Sequence, residues 1–95
     1  LLQEVAAMLL DDVPTMLAGI EAATAGHRLD EVGRQAHRLK GAVGNVGGHE
    51  LQGLALQCEV AAREADAGVT EQVFHRMVDA WERLEPELRG LRGGG

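Results

Sequence analysis

The sequence predicts an all-α protein, an up-down-up-down four-helix bundle with a short additional helix at its N-terminus. Three observations carry that expectation. Apolar residues recur every three or four positions along five segments, which is the period of one buried helix face. Aromatic residues are confined to Phe74 and Trp81, while Ala, Leu, Val, Glu and Arg dominate, a composition that suits packed helices better than sheets. The segments are separated by short stretches bearing glycine or aspartate, of the length that joins antiparallel helices.

Val5, Met8 and Leu9 mark the leading short helix, and Asp11-Asp12-Val13-Pro14 reads as the junction where it stops and the next begins. Asp12 is placed to cap the second helix, with Pro14 tolerated in its first turn. Val13, Met16, Leu17, Ile20 and Thr24 continue one face to about residue 25, where Ala25-Gly26-His27 breaks the pattern. In the third helix Leu29, Val32, Ala36, Leu39 and Val43 form a narrow apolar stripe, closed by the turn Gly44-Asn45-Val46-Gly47-Gly48. The fourth runs from about His49 to Ala65 and buries Leu51, Leu54, Ala55, Cys58, Ala61, Ala62 and Ala65, with Asp66-Ala67-Gly68 as its stop. The fifth starts near Thr70, a candidate N-cap, carries Val73, Phe74, Met77, Trp81, Leu84 and Leu88 on one side, and is kinked or ended by Pro86. Met8, Met16, Met77 and Trp81 are expected to fill the core.

Ninety-five residues suffice for one core and leave no room for a nucleotide-binding catalytic domain beside it. Residues 1–92 are expected to form that domain and residues 93–95 a flexible glycine tail. The start at Leu1-Leu2 without Met, together with that tail, suggests a segment of a longer protein. A formal net charge of −6 argues against nucleic-acid binding, which needs clustered Lys and Arg. The single cysteine, Cys58, cannot form an internal disulfide, and a reducing cytoplasm suits it. No apolar run approaches the roughly 20 residues needed to span a bilayer, so direct membrane contact is not expected. No two histidines lie at i,i+4 spacing, which argues against a metal site.

His37 is the candidate centre. On a wheel of about 100° per residue it lies roughly 120° from the middle of the third helix's apolar stripe, so it should face solvent. Lys40, the only lysine, follows one turn later on the same side. The neighbouring positions Gly33, Gly41 and Gly44 are all glycine, although each interior glycine lowers helix stability by about 1 kcal/mol relative to alanine. The result is a bare surface from which an imidazole projects and over which another protein's active site can close. An imidazole of ordinary pKa near 6.5 offers one ring lone pair at neutral pH, sufficient to attack phosphorus. Lys40 can supply one positive charge to the equatorial oxygens. The chain has no Gly-rich phosphate loop followed by Lys-Ser/Thr and no evident magnesium site, so it reads as a carrier without its own kinase activity and without a cofactor of its own.

The run from Ala36 to Gly47, with His37-Arg38-Leu39-Lys40-Gly41 at its heart, resembles the signature of histidine phosphotransfer (HPt) domains: His-x-x-Lys-Gly, small residues, then a turn. The Leu-Leu-Asp-Asp-Val-Pro segment, the stretch from Leu51 through Cys58-Glu59 and the final amphipathic helix extend the likeness over almost the whole chain. The resemblance implies phosphorylation of His37 on the ring nitrogen farther from the backbone, with Lys40 holding the phosphoryl group and Gly33, Arg38, Gly41 and Gly44 belonging to the docking surface. It also implies that Glu59 orients the ring, and the i,i+4 pair of Glu59 and Arg63 at the edge of the fourth helix's apolar face can reach His37. The implied partners are receiver domains, one in a hybrid sensor kinase and one in a response regulator, with Mg2+ held by the receiver. The implied setting is cytoplasmic, as a shuttle or as the last module of a kinase.

Two rival readings stand beside this one. A helical interaction module without phosphoryl chemistry would tolerate His37→Gln. The dimerising phosphoacceptor segment of a histidine kinase also displays a histidine on a helix, but needs a longer two-helix hairpin, whereas four long helices in one short chain favour a monomer. His27, His49 and His75 read as solvated surface.

Overall fold

A computed structural model of the chain describes residues 2–93. It contains four helices, α1 (Leu2–Ala25), α2 (Leu29–Gly44), α3 (His49–Arg63) and α4 (Ala67–Arg92). Each packs against its neighbour in sequence and α1 closes the ring against α4, giving a rod of 43 × 18 × 18 Å. The length follows from α4, whose 26 residues span about 39 Å at 1.5 Å per residue. Of the expected tail, Gly93 caps α4, while Gly94 and Gly95 lie outside the described residues.

The four-helix bundle is as expected, but the separate leading helix is not: α1 runs unbroken through Asp12 and Pro14. Ala6, Leu9, Val13, Leu17, Ile20 and Ala23 form one buried stripe that continues across the proline. Burying Leu9 and Val13 contributes about 3–6 kcal/mol, enough to offset the roughly 3 kcal/mol of an interior proline. Pro14 itself is exposed, which leaves the unpaired Leu10 carbonyl within reach of water. The same logic carries α4 through exposed Pro86, because Leu84 and Leu88 on either side are buried.

Two core expectations need correcting on α1. Met8 is 53% exposed, since it lies one residue, hence about 100°, off the stripe held by Leu9. Thr24 is half-buried and its hydroxyl donates to the Ile20 carbonyl at 2.8 Å, leaving the buried place to Ala23. Met16 only flanks the core, as does Leu54, whereas Met77 and Trp81 lie within it.

The first and third turns share one device. His27 and Ala65 adopt left-handed φ values of 56° and 57°, and the following amides of Arg28 and Asp66 donate back to the Ala23 and Ala61 carbonyls at 2.9 and 3.0 Å. These are Schellman closures built without glycine, so α3 stops at Arg63 and Ala65 is exposed instead of buried. Asp66 does not merely end α3. Its carboxylate accepts the Val69 amide at 3.1 Å and so caps α4. Thr70, the expected cap, is instead fully buried one turn inside, donating to the Asp66 carbonyl at 2.7 Å. The second turn does need glycine: Gly47 has φ 78°, and a Cβ on Gly48 would stand 2.9 Å from the Val43 carbonyl and 3.2 Å from Leu84.

Candidate functional site

The apolar stripe of α2, now Val32, Ala36, Leu39 and Val43, is buried, and its geometry turns His37 outward with 65% of its side chain exposed. Opposite it on α3 lies Glu59, flanked by the small residues Ala55 and Ala62 one turn either way. Only 3% of the Glu59 side chain is exposed. A carboxylate so placed costs several kcal/mol unless it is paired, and three nitrogens pair it. Lys40 donates to Oε1 at 2.8 Å, Arg63 to Oε2 at 2.5 Å, and His37 Nδ1 lies 3.0 Å from Oε2. No buried side-chain nitrogen or oxygen among the described residues lacks a partner.

The hydrogen bond from Lys40 above all holds the Glu59 carboxyl below the usual range; the His37 bond and the charges of Lys40 and Arg63 add to it, while burial opposes it. Glu59 is therefore an anion at neutral pH. An ionised carboxylate can only accept, so His37 Nδ1 must carry the ring hydrogen. In the neutral imidazole the lone pair is then on Nε2, the ring nitrogen farther from the backbone.

The glycines around His37 differ in what surrounds them. A Cβ on Gly41 would meet nothing within 4 Å, and one on Gly33 would make an ordinary 3.8 Å contact with Ala62. Neither has a left-handed backbone, so neither packing nor conformation demands glycine there. Gly44 is the last residue of α2 and is covered by the Gln52 carboxamide, whose end lies where a Cβ would be. Gln52 is the neighbour that the sequence did not flag, because it sits at the solvent edge of α3's buried stripe. Arg38 is exposed and forms no ion pair among the described residues. His27, His49 and His75 are exposed away from this centre. Burial pushes the Cys58 thiol up to about 11, so it stays protonated and unreactive.

An outward imidazole on a bare helix, anchored by a buried carboxylate in a four-helix bundle, agrees with a match to the family model of the Hpt domain over residues 4–87. The chain belongs to the Hpt domain family. Hpt domains serve histidine phosphotransfer in phosphorelays and interact with the receiver domains of two-component systems. Comparison with curated proteins and with solved structures gave no match. No helix among the described residues of this Hpt domain is long and apolar enough to cross a membrane.

Proposed function

We propose that His37 is the phosphoacceptor of a phosphorelay, taking a phosphoryl group from a receiver aspartate and passing it to the aspartate of a response regulator. The observation that carries this reading is the pairing of Nδ1 with buried Glu59 on an outward-facing ring, which in the neutral imidazole leaves the lone pair on Nε2. Nε2 attacks phosphorus, the N–P bond forms as the aspartyl O–P bond breaks, and the aspartate leaves as a carboxylate. The ring keeps its Nδ1 hydrogen and gains a positive charge, which Glu59 faces. Delivery to the second aspartate reverses these steps and releases a neutral imidazole, a far better leaving group than an imidazolate.

Lys40 and Arg63 share Glu59 with the ring, and in this reading they steady the phosphoryl oxygens. The partner supplies Mg2+ and the remaining donors, and Gly41 keeps its approach clear. The domain acts as a monomer, within a hybrid kinase or as a shuttle in the cytoplasm, and has no kinase activity of its own. Incubation with a phosphorylated receiver should label the chain with an acid-labile, base-stable phosphate, and His37→Gln should abolish labelling without changing the melting curve. Labelling retained in that variant would refute the assignment.

A further inference from the structure

α3 is apolar on two faces. Its inner stripe lies in the core, but Leu56 and Val60 are 47% and 41% exposed on its outer side, and Val69 of α4, 42% exposed, stands beside them. A helix that is apolar all round is normally covered all round. Two hollows of about 520 and 390 Å3 lie along the groove between α3 and α4 and meet at Gln57. We propose that this groove seats a basic amphipathic helix of a partner protein, on a surface separate from the His37 face.

The spacing is that of a helix seat. Gly53, Leu56, Val60 and Glu64 advance along α3 by three or four residues, and Val69, Val73 and Arg76 do the same along α4, so two ridges flank one furrow. The 15 residues of α3 span about 22 Å, room for a helix of about four turns. Gly53 deepens the furrow. A Cβ there would meet nothing within 4 Å, and its backbone is not left-handed. Nothing inside the domain therefore demands a glycine that costs the helix stability relative to alanine, whereas a second backbone approaching from outside would use the space. Val60 stands about 100° around α3 from Glu59, which allows the groove and the His37 face to be occupied together.

Charge selects the occupant. In the upper hollow Arg76 and Arg83 are balanced by Glu50 and Asp79. In the lower one the charged residues are Glu64 and Asp66, and neither forms an ion pair among the described residues. Asp66 is offset in part by the N-terminus of α4, which it caps. Glu64 is the C-cap of α3, where the helix dipole is already negative and a cation is favoured. A helix bringing Lys or Arg beside its apolar anchors satisfies both the exposed strip and this uncompensated end. A second copy of the chain would bring its own net charge of −6 against the same border, and an anionic bilayer carries the same sign as Glu64 and Asp66.

The test uses a labelled synthetic 14-residue peptide with Leu at i, i+4, i+7 and i+11 and Lys on the flanking positions, a second peptide with Glu in place of every Lys, and fluorescence anisotropy. The basic peptide should bind the wild-type chain at least about tenfold more tightly than the acidic one. Val60→Asp and Val69→Asp should each weaken binding about tenfold. Glu64→Lys should do so at low ionic strength and lose most of its effect near about 0.5 M salt. Gly53→Leu should weaken binding at every ionic strength, with melting curves checking that the bundle is intact. Met8→Asp, which alters an exposed apolar residue on α1, should bind like wild type. Equal affinity for the two peptides, unchanged binding in Val60→Asp and Val69→Asp, or an equal loss in Met8→Asp would overturn the proposal. So would a wild-type dimer in sedimentation that Val60→Asp dissolves, which assigns the groove to a second copy, or co-sedimentation with phosphatidylserine vesicles that Val69→Asp abolishes, which assigns it to lipid. Labelling by a phosphorylated receiver should be the same in Val69→Asp as in wild type; its loss there would make the groove part of the His37 encounter and overturn its separateness. A wild-type chain that binds the basic peptide but takes up no phosphate would remove the reading of His37 and leave this one standing.

Discussion

Replacing Glu59 by Ala removes the one group that serves His37, Lys40 and Arg63 together. Each charge-assisted hydrogen bond of this kind contributes about 1.5–3 kcal/mol, but here the three donors are 65%, 26% and 70% exposed and can turn to water. Removing the carboxylate also relieves its own burial. The net loss is therefore expected at about 1–2 kcal/mol, a fall in Tm of roughly 4–16 °C for a domain of this size. The effect on transfer has a separate origin. Without its anchor the ring rotates freely and its hydrogen is no longer confined to Nδ1. Ordering one side chain again at the moment of attack costs about 0.5–1.5 kcal/mol, so the maximal transfer rate should fall about two- to tenfold. Glu59→Gln, whose amide oxygen can still accept from Nδ1, should recover most of that loss. Nitrogen NMR of the His37 ring, thermal melting and single-turnover transfer measure the three parts. An alanine variant with the wild-type tautomer and rate would refute the argument that Glu59 positions the nucleophile. The Glu59 pKa is depressed in the fold, so its contribution is complete above the ordinary glutamate range near 4.3 and is lost as pH falls through the lowered value. The stability gap between wild type and Glu59→Gln should therefore be constant at neutral pH and close only in acid; a gap that closes between pH 6 and 8 would contradict the assignment.

Lys40→Ala should slow transfer or shorten the phosphohistidine lifetime by about tenfold, the value of one charge-assisted hydrogen bond at its lower end; unchanged rate and lifetime in a chase experiment would remove Lys40 from the chemistry. Gly41→Leu should raise helix stability by up to about 1 kcal/mol, because nothing lies within 4 Å of the added Cβ, while weakening receiver binding in a titration; equal affinity would show that the bare surface is incidental. Pro14→Ala should raise the Tm by restoring a donor to the Leu10 carbonyl, within the roughly 3 kcal/mol range of an interior proline; a lower Tm would mean that the proline is required by the packing of α1.

The helix faces were legible wherever the buried stripe was long. The stripe of Leu29, Val32, Ala36, Leu39 and Val43 placed His37 on the outside. The ends were less legible, for a local reason. At Pro14 and Pro86 a proline signalled a break, but burial on both sides outweighed the lost backbone bond. At His27 and Ala65 the left-handed residue is not glycine, so Gly26 and Asp66-Ala67-Gly68 marked the breaks but not the residue that closes each helix, and the capping role fell to Asp66 instead of Thr70. Within the site, His37, Lys40 and the glycines could be read from one helix. The depth of Glu59 could not, because a glutamate at the edge of an apolar face looks solvated until the neighbouring helix is in place. The bond between Lys40 and Glu59 joins residues 19 apart and depends on the α2–α3 register, which no local pattern reports.

Glu59 offers two oxygens to three nitrogens, so its allegiances are divided before any phosphate arrives. A phosphoryl group on His37 would bring new oxygens to the same cluster, and Lys40 and Arg63 could turn to them while the ring's new charge took their place at the carboxylate. The switch between empty and loaded states would then be a swap of partners among four side chains, with the helices standing still. A visiting receiver would meet the same scaffold on arrival and on departure, and only the cargo would tell it which way to go.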